Sequence, residues 1–65
     1  MYYIKVVKKD YFLTETYHSP DNIFFSLNSC KNGFRTPKKA KKYAEKLVKR
    51  LNNEVTTSVI YKEEE

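Results

Sequence analysis

Alternating apolar and polar residues predict two strands near the start of the chain. Residues 2–8 place Tyr2, Ile4 and Val6 on one side of an extended backbone, the pattern of a strand that buries one face. Residues 11–17 follow after a two-residue link and are rich in the aromatic and β-branched side chains that suit a pleated sheet. Because so short a link cannot carry a parallel crossover, the two segments are expected to form an antiparallel hairpin.

Two more strands are predicted further along the chain. Residues 23–28 place Ile23, Phe25 and Leu27 on one face of an extended segment. Residues 55–61 alternate in the same way and predict the last strand.

The clearest pattern, between these two strands, is that of a helix. Thr36 is of the residue type that caps a helix start, and Pro37 suits the first helical position, where its missing N–H costs nothing. Asn52 and Asn53 are expected to end the helix, because Asn adopts the left-handed conformation more readily than most residues. Apolar residues recur between these signals with helical spacing and form one stripe, made of Ala40, Tyr43, Ala44, Leu47, Val48 and Leu51.

This β-β-β-α-β order predicts an α+β fold in which one amphipathic helix packs on one face of a small antiparallel sheet. Residues 1–62 are expected to form a single domain, followed by a frayed acidic tail at residues 63–65. A chain of 65 residues buries roughly 60% of its unfolded surface, which leaves little room for a deep pocket.

The residues that usually carry catalysis are sparse. His18 and Cys30 are the sole histidine and cysteine, and the chain has no glycine-rich phosphate loop and no spaced Cys/His cluster. We therefore expect a protein that is not an enzyme, with no metal and no cofactor. A single cysteine forms no intramolecular disulfide, and no apolar run is long enough to span a membrane, which favours a cytoplasmic location without membrane contact.

Positive charge is concentrated in the helical segment. The net charge is +5, and eight of the 13 basic residues fall in residues 35–50. Lys38 and Lys39 lie in the first helical turn, where the helix dipole disfavours positive charge, so a role in binding is a reasonable explanation for them. An anionic partner is indicated, and the candidate nucleic-acid-binding residues are Arg35, Lys38, Lys39, Lys42, Lys46, Lys49 and Arg50.

Aromatic residues are more numerous than one helix can cover. Tyr3, Phe12 and Phe24 are predicted to lie on the sheet face away from the helix. Exposed there, they are candidates for stacking on unpaired bases or for anchoring a protein partner.

A short motif resembles a known family. Gly33-Phe34-Arg35-Thr36, followed by Ala40, opens the helix after three strands. This is similar to the arm-type DNA-binding domains of tyrosine-family integrases, and the layout also resembles short proteins carried by phages of Gram-positive bacteria. The resemblance implies that the sheet enters the DNA major groove and that Lys5, Thr14 and Thr16 meet the DNA.

Two functions therefore stay open from the sequence. The first is nucleic-acid binding through the basic helix. The second is a phage-type interaction module, an inhibitor or adaptor that docks on a host protein through exposed sheet aromatics. An unpaired edge strand also allows a homodimer formed by sheet extension.

Overall fold

The computed structural model describes residues 1–9, 14–52 and 54–63. It confirms the α+β fold, with four strands, a short 3-10 turn and one helix. In chain order these are β1 (Tyr2–Lys8), β2 (Thr14–His18), β3 (Ile23–Phe24), the turn Leu27–Ser29, α1 (Pro37–Arg50) and β4 (Val55–Tyr61). The predicted turn at Lys9-Asp10 and the predicted start of the second strand at residues 11–13 fall partly or wholly outside the described residues.

The four strands form one antiparallel sheet in the order β3-β2-β1-β4. The predicted hairpin is confirmed, because β1 and β2 pair antiparallel with Ile4 opposite His18. On its other side β1 pairs with β4, with Ile4 opposite Val59. The inner strands are therefore β2 and β1, and β4 forms one edge of the sheet.

Thr36, Pro37 and Asn52 act as predicted at the two ends of the helix, and Asn53 lies outside the described residues. Thr36 has an extended backbone, and its side-chain oxygen accepts a hydrogen bond from the Lys39 N–H at 3.3 Å. Pro37 is the first helical residue, and Asn52 adopts φ 55° just beyond the helix end. Removal of such a cap typically costs about 1 kcal/mol, so Thr36 stabilises the point at which the basic segment becomes helical.

The core lies between α1 and the strands β1 and β4. Ile4 and Val6 of β1 are 0% and 2% exposed and face the buried Ala40, Ala44 and Leu47 of the helix. Phe34 and Val55 complete this cluster. Burial of one large aliphatic side chain contributes about 1.5–3 kcal/mol, so the predicted apolar stripe is what fixes α1 on the sheet.

The face of the sheet away from α1 is covered at one end by the segment that leads to the helix. Phe34 exchanges two backbone hydrogen bonds with Tyr2, at 2.7 and 2.8 Å. The Lys62 ammonium donates to the carbonyls of Asn28 and Cys30. These bonds hold the segment against the sheet.

Tyr3 lies beneath this segment, so its predicted exposure is wrong. Tyr3 does lie on the face away from α1, since its neighbours Tyr2 and Ile4 face the helix, but it is 0% exposed. A Cβ added at Gly33 would lie 2.8 Å from the Tyr3 ring, which shows how closely the backbone passes over it. The sequence could not reveal this contact because residues 3 and 33 are distant in the chain.

The third strand is shorter than predicted. It ends at Phe24, and Ser26 caps the following 3-10 turn by accepting a hydrogen bond from the Asn28 N–H at 3.3 Å. The turn ends the alternation, so Phe25 and Leu27 lie outside the strand and are exposed by 82% and 37%. Ile23 stays in β3, opposite His18, and is also exposed, by 59%.

Gly33→Ala is expected to lower the free energy of unfolding by about 1–3 kcal/mol, as overpacking does. The new Cβ would lie 2.5 Å from the Tyr2 carbonyl oxygen, a backbone atom that cannot move aside without disturbing β1. Urea denaturation measures the change. Lys31→Ala, an exposed neighbour, is the control and should stay within about 0.5 kcal/mol. Equal stabilities for the two variants would contradict the close approach.

Candidate nucleic-acid interface

The outer side of α1 and the residue before its cap form one basic surface. Because Ala40, Ala44 and Leu47 turn toward the sheet, the lysines between them turn outward. We call this the basic helix surface. All of its cationic residues are exposed, and they are Arg35, Lys38, Lys39, Lys41, Lys42, Lys46, Lys49 and Arg50.

The structure therefore places six of the seven predicted nucleic-acid-binding residues on the outer side of α1, and the seventh, Arg35, directly before the helix cap. Lys41 joins them as an eighth exposed cation. They span the whole length of α1, and a helix of 14 residues is about 21 Å long. The surface thus offers a row of positive charge rather than a single point.

The negative charge on this surface is small. Glu45 is the one acidic residue of α1, and it forms no ion pair with any of the described lysines. The ion pair that the described residues do form, Lys5–Glu15 at 3.7 Å, lies on the sheet face away from the helix. Within the described residues the cations of the basic helix surface therefore form no ion pair, and their charge is available to an anionic ligand.

The start of α1 offers fewer backbone donors than a bare helix end. Pro37 has no N–H, while the N–H groups of Lys39 and Ala40 are both donated to Thr36. Within the described part of the chain, the Lys38 N–H donates to no acceptor. Anion binding at this corner would therefore depend on the side chains of Arg35, Lys38 and Lys39 more than on backbone amides.

The residues implied by the integrase resemblance do not share a surface. Lys5 and Glu15 lie on the sheet face away from α1. Thr16 lies opposite Val6 and therefore faces the helix side, as does Thr14. One sheet face cannot present Lys5, Thr14 and Thr16 together, so the set implied by the resemblance is divided by the register.

The three aromatic candidates differ in their exposure and do not form one exposed surface among the described residues. Phe24 is half-buried and lies opposite Tyr17. Tyr3 is buried, and Phe12 lies outside the described residues. The most exposed aromatic side chain of those described is Phe25, which sequence reasoning assigned to a strand face. The available signal was Ser26, a capping residue type directly after it.

His18 and Cys30 are both buried, at 8% and 3% exposure. Burial lowers the pKa of His18, whose Nε2 lies 3.1 Å from the Thr16 hydroxyl oxygen. Burial also raises the pKa of the Cys30 thiol, although nearby Lys62 acts in the opposite direction. Both groups are thus held toward their neutral forms, and no cluster of three metal-ligating side chains occurs among the described residues.

No protein-family model, curated protein or solved structure matches this chain. Over residues 1–9, 14–52 and 54–63, no helix has the length and apolar character needed to cross a lipid bilayer.

The stability of the fold is expected to fall as the pH drops below about 6.5, because of His18. Its folded-state pKa lies below the ordinary 6.5, so the unfolded chain takes up a proton at a pH where the folded chain does not. The contribution of neutral His18 to the free energy of unfolding is fully present above pH 6.5, and it is lost as the pH falls toward the pKa of His18 in the folded state. Urea denaturation of His18→Gln should show a flatter pH dependence. Identical slopes for the two proteins would contradict the assignment.

Proposed function

We propose that this protein binds nucleic acid through the basic helix surface. The observation that carries the proposal is a row of eight exposed cations along α1 and its cap, interrupted by one unpaired carboxylate. Such a row attracts the phosphate backbone and gains affinity by releasing condensed counterions.

The chemistry of this surface favours phosphate contacts over base recognition. Apart from Pro37 and Glu45, the exposed residues of α1 are lysines and one arginine. The amides that read adenine in the major groove are missing from this helix, and lysine meets phosphate as a point charge. We therefore expect binding that depends strongly on salt and weakly on sequence.

Binding is best tested by fluorescence anisotropy with labelled duplex and single-stranded DNA of random sequence, over a range of salt concentrations. Lys38→Glu with Lys39→Glu should weaken binding at least about tenfold, since two attractive interactions become repulsive. The slope of log affinity against log salt should also fall in magnitude by about 2, at roughly 0.9 for each phosphate that the protein no longer neutralises.

Lys8→Glu with Lys9→Glu is the matched control, because it changes the net charge equally at exposed residues off the helix. It should weaken binding much less than the helix pair does. Equal losses of DNA affinity in both double variants would show that DNA responds to the total charge of the protein rather than to the basic helix surface. Absence of binding by the native protein at low salt would refute the proposal.

A second candidate function, docking on another protein, is favoured by the exposed apolar side chains in residues 23–27. Phe25 is 82% exposed and Ile23 is 59% exposed, in a part of the chain held by only a two-residue strand. Large aromatic side chains exposed in this way are typical anchors of protein interfaces.

Phe25→Ser is expected to leave folding unchanged and to abolish retention of a specific binding partner. Since the side chain is exposed, its removal should change the free energy of unfolding by less than about 0.5 kcal/mol. Affinity capture with the native protein and the variant, each checked by urea denaturation, measures both effects. A partner retained equally by both proteins would contradict this use of the segment.

A further inference from the structure

The outer edge of β4 presents a row of backbone hydrogen-bonding groups that no other described strand uses. Met1 and Lys62 exchange two backbone hydrogen bonds, at 2.8 and 2.9 Å, and the Lys9 N–H donates to the Glu54 carbonyl at 3.1 Å. These bonds fix the alternation of the antiparallel β1–β4 pair. The residues that turn their N–H and C=O groups to the free edge are Val55, Thr57, Val59 and Tyr61.

This edge lacks the features by which edge strands usually avoid pairing. β4 is seven residues long and contains no charged residue, no proline and no glycine. It keeps a regular register with β1 from Val55 to Tyr61, without a bulge. Edges of this kind readily accept a further strand.

A groove runs between this edge and α1. Its volume is about 520 Å³, and its apolar lining comes from Ala44, Val48 and Val59. Val59, which is 37% exposed, is one of the residues whose backbone faces the free edge. An added strand would therefore place alternate side chains into the groove while its backbone pairs with β4.

The charges around the groove define what those side chains should be. Lys41 and Lys49 both line it, with Glu45 midway between them in sequence. Eight helical residues span about 12 Å, while four strand residues span about 13 Å. Two carboxylates four residues apart can therefore meet the two lysines, with an apolar residue between them near Glu45.

We propose that the β4 edge and this groove bind an extended segment of another protein as an antiparallel fifth strand. Its groove-facing side chains follow the order acidic, apolar, acidic at every second residue. A second copy of this chain is a poorer occupant, because pairing β4 with β4 about a two-fold axis brings the Lys41 and Lys49 groups of both copies together.

The probe is the capped peptide Thr-Glu-Thr-Val-Thr-Glu-Thr, added at up to about 1 mM, where even weak binding is detectable. Amide chemical shifts of the labelled protein should change along β4 and on the groove side of α1. A peptide N-methylated at Val should bind at least about tenfold more weakly, because that N–H points at β4 in the antiparallel register. N-methylation at the preceding Thr, whose N–H points away, should be tolerated.

Charge is tested with two double variants of equal net charge. Lys41→Glu with Lys49→Glu should reject the acidic peptide and accept a version with Lys in place of Glu. Lys38→Glu with Lys39→Glu, outside the groove, should still bind the acidic peptide, whether or not the protein binds nucleic acid. The proposal is overturned if the peptide causes no shifts, if both N-methylated peptides bind equally, or if self-association through β4 accounts for the shifts.

Discussion

The close contact of Gly33 with the Tyr2 carbonyl and the Tyr3 ring connects the sheet to the segment that leads into α1. It allows Phe34 to pair with Tyr2 through two short backbone hydrogen bonds, which brings the segment before the helix against β1. Phe34 then enters the core two residues before the cap at Thr36. The position of α1 on the sheet, and with it the direction of the basic helix surface, depends on a close approach that a side chain at residue 33 would disturb.

Elements defined by local patterns were predictable from the sequence, and those defined by distant contacts were not. The bounds of β1 and β4 and the cap of α1 follow from alternation, periodicity and residue type within short windows. Tyr3 has the pattern of an exposed position and is buried by a segment thirty residues away. The early end of β3 depends on Ser26, where a local capping bond competes with strand alternation.

The contrast between local patterns and distant contacts also explains which candidate sites were predictable from the sequence. The cations of α1 were identifiable because a helix exposes whatever lies opposite its apolar stripe. The sheet residues suggested by family resemblance were separated by the register of β1 and β2, which sequence alone does not define. The groove beside β4 was likewise hidden, because it requires the helix and the edge strand to be placed together. Lys41 and Lys49 belong both to this groove and to the basic helix surface, so the two proposed ligands would compete for them.

The pairing of β1 with β4 has a consequence for synthesis on the ribosome. Lys62 bonds to Met1, so β1 receives its second neighbour only after β2, β3 and α1 have all been made. Until then the apolar stripe of α1 lacks β4, one of the two strands against which it packs. Residues 55–62 must therefore leave the exit tunnel before β4 can pair with β1. Until that happens, the apolar face of α1 on the nascent chain stays accessible to chaperones.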